Sequence, residues 1–159
     1  MSEAVPLILL VENNDNDVLL FKNAATKAGH ALRLEVVGNG PACMNYLLGA
    51  GRYRNRSQFP VPSLVLLDLG LPGLNGLDVL KEIREQPELL RLPVVVLTNS
   101  DAIRDVNKAY AFGANSFLVK PIDAATISSL VTAMGRALRP WSRCSDQPVF
   151  ETSPLALGG

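Results

Sequence analysis

The sequence predicts an α/β fold in which five short parallel strands alternate with five helices that cover both faces of the sheet. Two observations predict it. Four apolar runs, Leu7-Ile8-Leu9-Leu10-Val11, Leu64-Val65-Leu66-Leu67, Val94-Val95-Val96-Leu97 and Ser116-Phe117-Leu118-Val119, are too short for helices and read as buried strands. Between them lie segments with helical spacing, and strict alternation of the two types implies a parallel sheet with right-handed crossovers.

Each element follows in order. After the first strand, Asp15 or Asn16 can cap a helix that turns Val18, Leu20, Phe21, Ala24, Ala25 and Ala28 inward and stops at Gly29. His30, the single histidine, then falls in a surface loop. Leu32 to Val37 alternates like a strand and ends at the turn signal Gly38-Asn39-Gly40. Pro41 suits the first turn of a second helix, to about Leu48. Residues 49–62 form a longer connection with Arg52, Tyr53, Arg54, Arg56 and Phe59, expected to be a solvated charged loop in preference to a docking surface. Asn75-Gly76 starts a third helix carrying Val79, Leu80 and Ile83, which ends near Pro87, and Pro93 opens the fourth strand. Ser100 or Asp101 can cap a fourth helix closed by Gly113. Asp123 starts the last, with an apolar stripe of Ile127, Leu130, Val131, Met134 and Leu138. Residues 140–159 contain three prolines and no period, and are expected to be a tail without an output domain after one domain at 1–139.

Composition narrows the function classes. Fifteen basic and fifteen acidic residues leave no net charge, whereas nucleic-acid binding needs clustered Lys and Arg. No apolar stretch reaches the ~20 residues that span a bilayer, and no signal peptide is seen, so a cytoplasmic protein without membrane contact is expected. Cys43 and Cys144 lack metal-ligand spacing and are expected to be free thiols.

The chemistry gathers where the strands end. In open α/β sheets ligands bind at the carboxyl ends of strands. Here those ends carry Glu12 and Asn13, then Asp68, Thr98 and Lys120. Two carboxylates sharing a site repel unless a cation sits between them, and an oxygen-only ligand set favours Mg²⁺. Lys120 can meet a phosphoryl oxygen, Thr98 can donate to another, and Asp68 is left as a carboxylate nucleophile able to form an acyl phosphate. Phosphoryl transfer needs little beyond positioning and charge neutralisation.

With Leu9-Leu10-Val11-Glu12, Leu66-Leu67-Asp68-Leu69 followed by Pro72 and Gly76, Leu92-Pro93 through Leu97-Thr98, and Lys120-Pro121, the sequence resembles the receiver domains of two-component response regulators over roughly residues 5–139. The arginine-containing insert and the lack of an output domain are similar to the stand-alone regulators that serve bacterial phytochromes. The resemblance implies a flavodoxin-like sheet of strand order 2-1-3-4-5. It implies that Asp68 accepts a phosphoryl group from a sensor histidine kinase, here of phytochrome type. It implies a Mg²⁺ shell of Glu12, Asn13, Asp68 and the Gly70 carbonyl, a switch pair in Thr98 and Phe117, a phosphoryl-binding Lys120, and a cis Lys120–Pro121 bond. In that switch the phosphoryl group draws Thr98 inward and Phe117 turns from exposed to buried. Asn13 departs from the family, which usually has a second carboxylate there. Weak Mg²⁺ binding is therefore expected, with Asp15 and Asp17 capping the first helix or facing solvent. The alternative is an interaction adaptor that never accepts phosphate, displaying a constant face, with homodimerisation through the last three elements. A phosphatase is disfavoured, because Gly70 stands where its general acid belongs.

Overall fold

In the computed structural model, which describes residues 5–71, 73, 75–99 and 103–136, the chain forms one five-stranded parallel sheet. The strands are β1 (Leu7–Val11), β2 (Arg33–Val37), β3 (Leu64–Asp68), β4 (Val94–Thr98) and β5 (Ser116–Val119), in the order 2-1-3-4-5. The helices are α1 (Asp15–Ala28), α2 (Gly40–Leu48), α3 (Gly76–Glu85), α4 (Ile103–Ala111) and α5 (Ala124–Arg136). The expected fold class and strand order are both present. No helix among the described residues is long and apolar enough to cross a membrane.

Side-chain alternation along the three central strands sorts the core into two layers. Leu7, Leu9, Val11, Val65, Leu67, Val94 and Val96 pack with buried residues of α2 and α3, including Tyr46, Val79, Leu80 and Ile83. Ile8, Leu10, Leu64, Leu66, Val95, Leu97 and Leu118 pack with Phe21 of α1 and with Ile127 and Leu130 of α5. Both sides of β1, β3 and β4 are therefore covered, which is why their sequences are continuously apolar.

Helix starts are set by side-chain caps. Asn14 accepts the Asp17 N–H at 3.0 Å, Asn39 the Ala42 N–H at 2.8 Å, Asn75 the Asp78 N–H at 3.1 Å and Asp123 the Thr126 N–H at 2.8 Å. The first of these corrects the expectation of Asp15 or Asn16. Asn14 keeps an extended backbone while Asp15 is already helical, so only Asn14 can reach back to an unpaired donor. Leu20 also departs from expectation: it is exposed, with Val18 and Phe21 facing the sheet. Two residues advance a helix by about 200°, so Leu20 cannot share the face of Val18. The α4 caps Ser100 and Asp101, Pro72, the Met134 side chain, Leu138, Cys144 and the 140–159 tail lie outside the described residues.

The 49–62 connection is solvated along much of its length, as expected, but Arg56, Tyr53 and Phe59 tie it to α2. The Arg56 guanidinium donates to the carbonyls of Tyr46 (2.8 Å), Leu47 (2.7 Å) and Phe59 (3.1 Å), closing the carboxyl end of α2. Tyr53 packs tilted and Phe59 edge-on against the buried Tyr46 ring, at 4.9 and 6.0 Å, and the Tyr46 hydroxyl donates to the Pro60 carbonyl. Arg52 lies over the Tyr53 ring. Only Arg52 and Arg54 of its arginines are exposed.

Candidate phosphoacceptor site

Register brings the polar strand ends together. Val11 pairs with Leu67, so Glu12 and Asp68 come next to each other at the ends of β1 and β3. Asp68 pairs with Leu97, which puts Thr98 one residue further along β4. Thr98 pairs with Val119, and the Lys120 N–H donates to the Thr98 carbonyl at 2.9 Å. The Lys120–Pro121 peptide is cis.

The Lys120 ammonium lies among three carboxylates: Glu12 Oε2 at 2.6 Å, Asp17 Oδ2 at 2.9 Å and Asp68 Oδ2 at 3.0 Å. The Glu12 and Asp68 side chains are only 3% and 7% exposed, and that of Lys120 9%. The second oxygen of each buried carboxylate accepts a backbone donor, Glu12 Oε1 from the Asn14 N–H and Asp68 Oδ1 from the Gly70 N–H. Thr98 is buried at the strand end, while Asn13 and Gly70 lie exposed at the rim. Phe117 is half-buried, not exposed: it packs on the α2–α3 side of the core and edge-on against Tyr110 of α4, at 6.2 Å and 87°.

Electrostatics divide the two buried acids. Burial raises Glu12, sharing a site with Asp68 raises it further, and Lys120 only partly offsets this, so Glu12 ionises less readily than an ordinary glutamate. Burial also acts to raise Asp68, but the Glu12 carboxyl, the Gly70 N–H and Lys120 outweigh it and hold Asp68 below the usual aspartate value. Of the two, Asp68 is therefore the readier to ionise. Burial would pull Lys120 down, yet its hydrogen bonds to Glu12, Asp17 and Asp68 raise it, keeping it a cation at any physiological pH. An anionic oxygen beside a fixed ammonium in a shielded site can accept an electrophilic phosphorus and neutralise the transferred charge.

The oxygen donors suit a hard divalent cation in kind, while among the described residues no group of three acidic, histidine or cysteine side chains is arranged to hold one. Glu12 and Asp68 keep lone pairs beyond the hydrogen bonds they accept, and Asn13 and Gly70 are exposed close to them in the chain. With Asn13 neutral, two carboxylates remain at the strand ends.

Asp17 is the site residue that sequence reasoning missed. Instead of capping or facing solvent, it turns its carboxylate onto Lys120. One signal was available: it is an acid in the first turn of the helix that leaves the Glu12 strand, within one turn of the sheet edge.

The response regulator receiver domain family matches residues 8–132. Response regulator Rcp1 of Synechocystis sp. is 40% identical over 114 residues, covering 72% of this chain and 76% of that protein. The solved structure of the phosphorylated cyanobacterial phytochrome response regulator RcpA superposes with a TM-score of 0.70 at 33% identity, covering 84% of this chain and 93% of that one. The Mn²⁺-bound form of Rcp1 does so with a TM-score of 0.67 at 36% identity, covering 81% and 91%. Strand order, the lysine–carboxylate cluster and these similarities agree, and the chain belongs to the response regulator receiver family of two-component signalling.

Proposed function

We propose that Asp68 is the phosphoacceptor. Its Oδ2 attacks the phosphorus of a phosphohistidine on a sensor kinase. The phosphorus–nitrogen bond breaks as the aspartyl oxygen–phosphorus bond forms, and the histidine nitrogen leaves. The observation that carries this reading is the buried Asp68–Lys120 ion pair at a strand end, with Asp68 held in its anionic form. Lys120 meets a phosphoryl oxygen, and Thr98, at the adjoining strand end, donates its hydroxyl to another. Glu12, Asp68, the Asn13 side-chain oxygen and the Gly70 carbonyl would hold Mg²⁺, which when bound neutralises charge on the transferring group. Asn13 makes that binding weak. The receiver catalyses only its own phosphorylation and dephosphorylation.

Output is a change of binding surface. Thr98 lies beside β5, and Phe117 on β5 touches Tyr110 on α4. Engagement of Thr98 by the phosphoryl group shifts the Phe117–Tyr110 pair and re-forms the α4–β5 surface. One charge-assisted hydrogen bond contributes about 1.5–3 kcal/mol, enough for a roughly tenfold or larger shift of a balanced equilibrium. The partner is a histidine kinase of phytochrome type. This rests on the named function of RcpA and on the shared fold.

The neutral Asn13 favours a second reading, an adaptor that never accepts phosphate. Incubation with acetyl phosphate and Mg²⁺ followed by intact-mass measurement separates the two. A gain of one phosphoryl group that is lost in Asp68→Ala supports the acceptor; no gain supports the adaptor.

A further inference from the structure

The Lys120 ammonium has three N–H donors, and Glu12, Asp17 and Asp68 each accept one. Phosphorylation turns Asp68 Oδ2 into the bridging oxygen, so the Lys120 N–H it accepted passes to one phosphoryl oxygen. The other phosphoryl oxygens then compete with Glu12 and Asp17 for the two remaining donors. Glu12 is buried, and its other oxygen is tied to the Asn14 N–H. Asp17 is held least: its side chain is 30% exposed, against 3% and 7% for the other two. It also lines a cleft of about 150 Å³ between α1 and residues 120–122, with Leu20, Pro121 and Ile122 on its walls, which leaves the carboxylate room to turn outward.

We propose that Asp17 is a positioning residue that parks the Lys120 ammonium before phosphorylation and is exchanged for a phosphoryl oxygen after it. This rests on Asp68 being the acceptor. The exchange breaks the ion pair that ties the first turn of α1 to the segment joining β5 and α5. Formation of the acyl phosphate thereby reaches the α1 surface by a route separate from Thr98 and Phe117. The side chain acts through Lys120 and does not touch the reacting oxygen.

The test uses the full chain, with acetyl phosphate and Mg²⁺ as the donor system. Carbon-13 NMR of the aspartate carboxyl groups is followed alongside intact mass. As mass is gained, the Asp17 carboxyl resonance is expected to move to the position of the exposed Asp15, and the amides of residues 15–18 to move with it. Asp17→Asn removes the competing negative charge and leaves only a neutral amide acceptor, and is expected to speed phosphorylation about threefold, the scale of a partly exposed ion pair. Asp15→Asn makes the same charge change in the same helical turn and is expected to leave the rate unchanged. A wild-type mass gain with a static Asp17 resonance overturns the exchange alone, as do equal effects of the two variants. No mass gain in the wild type overturns the Asp68 assignment and the exchange with it. The wild-type resonance decides the matter even where a variant folds poorly.

Discussion

Gly76 packs directly against Asp68. A Cβ built on Gly76 would collide with the Asp68 carbonyl oxygen and lie 2.6 Å from the Leu69 α-carbon, both backbone atoms. The first residue of α3 thus rests on the turn that leaves the acceptor, and the Gly76 N–H donates to the Leu69 carbonyl at 3.2 Å. Gly76→Ala cannot be absorbed by a side-chain rotation. It is expected to cost about 2–3 kcal/mol, at the upper end for overpacking. Urea unfolding measures that loss, and slower phosphorylation should accompany it because the Asp68 backbone has to shift.

The Arg56 guanidinium makes three hydrogen bonds to carbonyls at the end of α2 and in the arm that follows. Arg56→Ala takes a donor from all three carbonyls, of which Tyr46 keeps the Gly49 N–H, and a loss of about 2 kcal/mol is expected from the charged hydrogen bonds alone. Arg56→Lys should recover less than half, because one ammonium cannot span the fork. Thermal unfolding of the three proteins checks the ranking.

Mg²⁺ binding should be proton-linked through Glu12. Burial and Asp68 raise Glu12 above its ordinary value, so a proton competes with the cation at mildly acidic pH. The affinity is expected to fall from pH 8 to pH 5 by more than an ordinary glutamate would produce. Asn13→Asp restores an anionic oxygen at the rim and should tighten binding about tenfold, since hard cations favour carboxylates. Calorimetric titration at the two pH values reads both effects.

Cys43 is fully buried, and burial, with Glu82 adding to it, pushes its thiol up to about 12. In a Cys144→Ser background the native protein is expected to resist thiol reagents at pH 8 and to react once unfolded. The sign for stability follows. The unfolded thiol ionises near its ordinary value of about 8.5 while the folded one stays neutral, so this group's stabilisation is complete below that value. It declines as pH rises from there toward 12, measurable by unfolding between pH 8 and 11.

Much of the fold was legible because its determinants are local. Continuous apolar runs identify doubly covered strands, and Asn75, Pro41 and Gly29 mark helix limits by their own backbone preferences. Glu12, Asp68, Thr98 and Lys120 were legible because each directly ends or follows a strand, and strand ends converge. Asp17 and Arg56 were not. Asp17 acts on Lys120, distant in sequence, and Arg56 turns back on the nearby α2 carbonyls, but a charged side chain looks the same in sequence whether it meets water or a partner. Leu20 was misplaced for a different reason, a face assignment that helical geometry contradicts.

Chemical mapping of the acyl phosphate tests the central claim most directly. Protein incubated with acetyl phosphate and Mg²⁺ is reduced with borohydride, which converts a phosphorylated aspartate to homoserine, and its peptides are sequenced by mass. Homoserine at position 68, and its absence when Lys120 is replaced by Ala, is the predicted result. Homoserine at another aspartate, or at none, would contradict the account.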